Sequence, residues 1–168
     1  RACRGMTLTV ERLHEVIHYD PSTGIFRWRV TQGGRRAGRV AGGLASNGYW
    51  RLYVEGRSYR GQRLAFFYMT GEWPAGLAEH KDTDKLNNRW SNLREAGKVE
   101  NGYNRGKNKN NTSGFKGVHW DKGRSRWIAQ IVVNGKHKSL GRHRTPELAH
   151  AAYAKAAIEF HGVFARIA

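Results

Sequence analysis

The stretch "AEHKDTDKLNNRWSNLREAGKVENGYNR", residues 78–105, decides how the chain is read. It holds one histidine, five asparagines and a thin apolar frame, too polar to be a core. Glu79-His80 follows the apolar pair Leu77-Ala78, and a polar turn containing Asn87-Asn88 comes next. Trp90 and Leu93 then resume an extended pattern as small-core residues, and 98–104 suits a short helix. The local plan is strand, wide loop, strand, helix, and it brings His80, Asn92 and Asn101 together. A strand pair packed on one helix can hold a divalent cation between an acid on the first strand and a side-chain carbonyl on the helix. A nearby histidine can then take a proton from water, which is the minimum kit for cutting a phosphodiester. Oxygen ligands favour magnesium or manganese over zinc. Asp82 and Asp84 read as turn formers.

The composition around this stretch points the same way. Lys and Arg number 30 against 13 acidic residues in 168, a formal charge of +17. So large an imbalance repels itself unless a polyanion is near, and nucleic acid is the usual one. No basic amphipathic helix with a large apolar face argues for a membrane surface, and no apolar run after the opening RACRGM suits a signal or a span. The single cysteine, Cys3, excludes a disulfide framework and a cysteine-based zinc site. A cytoplasmic protein without membrane contact is expected.

Upstream, residues 7–18 read as a helix opened by Thr7, with Val10, Leu13, Val16 and Ile17 on one face. Residues 20–24 form a turn, 25–30 a strand, and 31–43 a Gly- and Arg-rich loop able to touch phosphate. Strands at 49–54 and 57–60 flank Glu55-Gly56, and 63–69 form a helix ended by Gly71. Downstream, 105–113 (RGKNKNNTS) lacks apolar anchors and reads as a basic linker. From Gly114 the pattern becomes three strands and a helix: 115–120, 127–133, the hairpin signal Asn134-Gly135, 136–140, then a helix opened by Thr145-Pro146-Glu147 and stopped by Gly162. Ala149, Ala152, Tyr153, Ala156, Ala157 and Phe160 share one face of that helix, small enough to sit close on a sheet. Trp127, Ala129 and Ile131 can pack on it, leaving Ile128, Gln130 and Val132 outward. His14, His18 and His161 read as packing or surface residues. The fold class is α+β.

His80, Asn92 and Asn101 within "EHKDTDKLNNRWSNLREAGKVEN" resemble the HNH endonuclease signature, particularly that of phage and intron-encoded homing endonucleases. "YRGQRLAFFYMTGEWP", residues 59–74, is similar to the usual lead-in of that nuclease. The resemblance implies a ββα-metal fold with His80 as general base and Asn92 bracing the loop. It also implies Glu79 and Asn101 as ligands of Mg2+ or Mn2+. Two departures stand out: Glu79 is one methylene longer than the usual acid, and Gln62 replaces a usual histidine ("QRLA" for "HRLA"). An inactive, DNA-binding descendant of such a nuclease is therefore the alternative reading.

"GFKGVHW", "RWIAQIVVNGKHKSLGRHRTPELAHAAYAKAA" and "HGVFAR" resemble the APETALA-two (ethylene-response-factor) DNA-binding domain. That resemblance implies a three-stranded antiparallel sheet on one helix, laid in the major groove of double-stranded DNA. Lys116 and His119 correspond to family positions that touch DNA. Gln130 is suited to adenine, and Arg124, Arg126, Lys136 and Lys138 to phosphates. The plant family carries more arginine on the sheet than this chain does, so its GC-box preference is not carried over. The expected organisation is a nuclease domain over 1–104, a linker over 105–113 and a reading domain over 114–168, acting as a monomer or DNA-bound dimer.

Overall fold

A computed structural model describes residues 7–167; the RACRGM segment with Cys3 lies outside the described residues. The chain packs as two compact units, the first ending at Glu95 and the second beginning at Ala96. That division falls ahead of the 105–113 segment that the sequence offers as a linker.

The first unit opens with helix α1 (Val10–Val16), capped by Thr9, whose hydroxyl accepts from the Arg12 amide at 3.2 Å. The helix expected over 7–18 is shorter at both ends. Ile17 turns extended (φ −124°) and starts strand β1 (Ile17–Asp20), which pairs antiparallel with β2 (Ile25–Trp28). Ile17 and Tyr19 thereby reach the core from a strand, where tertiary packing outweighs the helical periodicity. A second antiparallel sheet comprises β3 (Gly43–Leu44), β4 (Trp50–Val54) and β5 (Arg57–Arg60), and leads directly into α2 (Gly61–Thr70), which ends at Gly71. Strand β6 (Leu77–His80) then pairs with β7 (Leu93–Ala96).

One apolar cluster joins these pieces. Leu13, Ile17, Phe26, Leu52, Val54 and Leu64 are fully buried in it, each worth about 1.5–3 kcal/mol against water. The Trp73 ring lies flat on Phe67 (centroids 4.2 Å apart) and on Tyr59 (5.3 Å). Trp90 meets Phe66 edge-on at 4.9 Å and Leu93 is buried, so both are core residues, as their pattern suggests.

The second unit begins with α3 (Lys98–Tyr103). Strands β8 (Val118–Asp121), β9 (Arg126–Val133) and β10 (Lys136–His143) form an antiparallel sheet with β9 central, covered by α4 (Pro146–His161) and a final 3-10 turn. The Thr145 hydroxyl caps α4 by accepting from the Leu148 amide at 3.3 Å. Alanines let the helix lie close: Ala129 packs with Val118 and Ala149, and Ile131 with Tyr153, Ala156 and Ala157. The closest approach is at Gly117, where a Cβ would fall 2.2 Å from the Tyr153 ring. The 105–113 segment is folded onto this unit, with Lys107 Nζ donating to Gly114 O at 3.0 Å and Asn111 Nδ2 to Phe115 O at 2.7 Å.

Candidate active site and nucleic-acid interface

Strand β6 delivers Glu79 and His80 into the interior, each only 6% exposed. The loop that follows is held by side chains rather than by regular structure. Asn92 is its brace: Nδ2 donates to Asp82 Oδ1 (2.9 Å) and Asn87 O (2.8 Å), while Oδ1 accepts from the Asp82 amide (3.2 Å). Asp82 and Asp84 shape the turn, accepting from the Asp84 and Leu86 amides at 2.8 and 3.0 Å. Burial works to raise the Asp82 carboxyl, but hydrogen bonds from Asn87, Asn92 and the Asp84 amide outweigh it and hold the group below its ordinary value.

His80 Nε2 lies 3.1 Å from Asn88 Oδ1. The Asn88 amide nitrogen donates to Leu86 O at 3.3 Å, which fixes the oxygen toward the imidazole. Nε2 is therefore the protonated nitrogen, and Nδ1 carries the lone pair. Burial lowers the His80 pKa; the Asn88 bond and the charges of Asp82, Asp84 and Glu79 offset this only in part. The ring is neutral near pH 7, the state a base requires.

Asn88 is itself set from the N-terminal hairpin. The Tyr19 hydroxyl donates to Asn88 O at 2.6 Å, and burial drives that phenol's pKa upward. The 20–24 turn clasps the next residues: Trp90 N donates to Pro21 O and Arg89 Nε to Ser22 O, both at 3.0 Å. Asp20 stiffens that turn by accepting from the Ser22 and Thr23 hydroxyls, which hold its pKa at about 2. Gly24 has φ +76°, and a Cβ there would fall 2.5 Å from Arg89 N, so only glycine permits the approach.

On the other side of His80 stands Tyr49, with ring centroids 6.3 Å apart. Arg60 and Lys85 flank the Tyr49 ring at 4.7 and 4.8 Å. Sequence reading singled out none of Asn88, Tyr49, Arg60 and Lys85. Only the Asn87-Asn88 pair, an amide embedded among turn formers, signalled one of them.

Glu79 Oε1 accepts a short 2.5 Å ion-paired hydrogen bond from Arg94 Nε. Its Oε2 is buried without a hydrogen-bond partner among the described residues. An orphaned, buried carboxylate oxygen suits a hard cation. Among the described residues, no cluster of three or more His, Cys, Asp or Glu forms a ready-made cage. Asn101 lies in α3 of the second unit, half-buried, with its amide bonded to Gly97 O at 3.0 Å. Gln62 is buried, with Oε1 lacking a partner among the described residues.

In the second unit the β8–β9–β10 register sorts the basic residues. Trp127, Ala129 and Ile131 face α4, so His119, Arg126, Ile128, Gln130, Val132 and His137 share the outer face. Lys136 and Lys138 pair with Val133 and Ile131 and belong to the helix side, with Lys138 Nζ 4.1 Å from the Phe160 ring centre. Arg124 reaches Asp121 at 3.6 Å from the intervening turn. Lys116 is turned inward: its ammonium donates to Tyr103 O at 2.6 Å, and burial, then Arg166, push its pKa down to about 8.

Residues 59–103 match the HNH endonuclease family and residues 113–162 match the AP2 domain. Protein 3.8 of Escherichia phage T7 is 36% identical over 97 residues, covering 57% of this chain and 79% of that protein. A solved structure described as DNA binding and cleavage by the HNH homing endonuclease I-HmuI aligns over 94% of this chain and 92% of the other, with 19% identity and a TM-score of 0.44. No helix among the described residues is long and apolar enough to cross a membrane. With a 36%-identical relative spanned over most of its length, and both of its motifs matched, the chain belongs to the HNH endonuclease family, with an AP2 domain following the nuclease motif.

Proposed function

We propose that this protein is a metal-dependent DNA endonuclease that hydrolyses phosphodiester bonds, targeted to double-stranded DNA by its AP2 domain, and that it serves homing of a phage or mobile element. The observation that carries the reading is the buried His80, bonded to Asn88, on the same strand as Glu79, whose buried Oε2 lacks a partner among the described residues. The domains in this reading are the nuclease over 1–104, a basic linker over 105–113 and the reader over 114–168. The protein works in the cytoplasm of a bacterial host, as a monomer or a DNA-bound dimer.

His80 Nδ1 accepts a proton from the attacking water as its oxygen bonds to phosphorus, and the bond to the leaving oxygen breaks. Asn88 keeps Nε2 protonated throughout, so the base nitrogen is always the same one. Asn92 holds the loop after His80 and acts as a positioning residue. Arg60 and Lys85 attract and orient the phosphodiester. Glu79 and Asn101 would hold Mg2+ or Mn2+, which when bound stabilises charge on the phosphate and the leaving oxygen. On the reader, His119 and Gln130 meet the groove, and Arg124, Arg126, Lys136 and Lys138 meet phosphates. Lys116 belongs to the reader's DNA-contact set by family position, although its ammonium bonds to Tyr103 O.

A second reading, a DNA-binding descendant without activity, draws on one observation: Arg94 already pairs with Glu79, which competes with a cation for that carboxylate. Supercoiled plasmid incubated with Mg2+, Mn2+ or EDTA separates the two. Nicked or linear product that needs the metal supports the endonuclease; binding without product in both metals supports the descendant.

A further inference from the structure

The second unit contains a cleft of about 280 Å3 that the nuclease reading does not use. One wall is the segment just after α3, and the other is the end of β9 together with α4. Arg105, Lys107, Lys116, His137 and His161 line it, along with amide side chains including Asn108 and Gln130. No aspartate or glutamate is among the lining residues.

Two groups in it are poorly compensated as they stand. Lys116 holds a half-buried ammonium against Tyr103 O at 2.6 Å, and the like-charged Arg166 acts on it unfavourably. His161, 7% exposed, donates from Nε2 to Val132 O at 2.7 Å and stacks flat on Tyr103, with centroids 3.7 Å apart. Its Nδ1 is buried with no hydrogen-bond partner among the described residues. A half-buried ammonium without a counter-charge among the cleft's lining residues is unfavourable, and an anion in the cleft offsets that cost. The donors present, ammonium, guanidinium and side-chain amide, suit a tetrahedral oxyanion with several acceptor oxygens. Gln130 and His137 also belong to the outer sheet face, so the cleft opens beside the surface assigned to DNA.

We infer that this cleft binds a phosphate group, supplied either by the backbone of bound DNA or by a free phosphate. Cleavage chemistry plays no part in it, so it stands or falls separately from the proposed activity.

The test is thermal unfolding of the full chain in inorganic phosphate and in sodium chloride at matched ionic strength. Phosphate at ten times its Kd is expected to raise the transition by roughly 3 °C over chloride. Phosphate also stabilises proteins by exclusion from their surfaces, so Lys116→Met is the control and should abolish the excess. The exposed pair Arg105→Gln/Lys107→Gln should reduce it, with the unfolding transition in chloride reporting any cost of losing the Lys107 bond to Gly114 O. Equal transitions in phosphate and chloride, or an excess that survives in both variants, would overturn the inference. The salt dependence of duplex binding then identifies the source. A log–log slope shallower by about 0.9 for each lost contact in the Arg105/Lys107 variant assigns the cleft to the DNA backbone. An unchanged slope, with the phosphate effect still dependent on Lys116, assigns it to free phosphate.

Discussion

His80 Nε2 donates to the side-chain oxygen of Asn88, a buried residue eight positions further along the chain, at 3.1 Å. That bond fixes which imidazole nitrogen can act as a base. Asn88→Ala frees the tautomer and the ring, and cleavage is expected to fall about 10- to 100-fold, the usual cost of losing an orienting partner. Asn88→Asp keeps an acceptor but adds a negative charge, which favours the imidazolium. Its rate–pH profile should shift to higher pH, whereas a loss caused only by misfolding would lower the rate at every pH alike.

The pH dependence of the wild type follows from the burial of His80. Because the neutral ring is favoured, the acid limb of the cleavage profile should lie below the ordinary imidazole value of about 6.5. The same shift destabilises the fold in acid. The folded chain binds fewer protons than the unfolded chain there, so stability is full above the unfolded value and declines as pH falls through the folded one. Denaturant titrations between pH 7 and 5, wild type against His80→Gln, measure the difference.

Lys116 makes a parallel prediction at alkaline pH. Its pKa of about 8 lies below its unfolded value, so its contribution to stability is full above the unfolded value and is lost as pH falls through 8. Lys116→Met should therefore gain about 1 to 2 kcal/mol relative to wild type at pH 7, allowing for screening by water, with the difference shrinking above pH 10. Chemical denaturation at the two pH values checks this.

Gly24 ties the first hairpin to the catalytic loop. Gly24→Ala combines a positive φ with a clash against the Asn88–Arg89 backbone and should cost about 2 kcal/mol or more. Activity should fall further than stability alone explains, because the displaced backbone carries Asn88. Comparing the unfolding midpoint with the cleavage rate of the folded protein separates the two effects.

Binding of a metal can be read without activity. Mg2+ or Mn2+ should raise the unfolding midpoint of the wild type and leave that of Glu79→Gln unchanged, because the variant lacks the partnerless carboxylate oxygen.

Much of this was legible where local chemistry and packing agree. Asn134-Gly135 joins β9 to β10, Thr145 and Pro146 open α4, and the alternation from Trp127 to Ile131 fixes which face meets the helix. Ile17 misled because its helical spacing is overruled by pairing with Trp28. Asn88, Tyr49 and Arg94 stayed hidden because their roles depend on contacts made across an irregular loop or between strands, which no local period encodes. Lys116, expected at DNA by family position, bonds to Tyr103 O, a contact that nothing in its sequence neighbourhood signals.

The most direct test compares wild type with His80→Ala on supercoiled plasmid in Mg2+, with duplex affinity measured in parallel. The account predicts that the variant binds DNA as tightly as wild type and loses at least about 100-fold in cleavage rate. Cleavage by His80→Ala at the wild-type rate would contradict it.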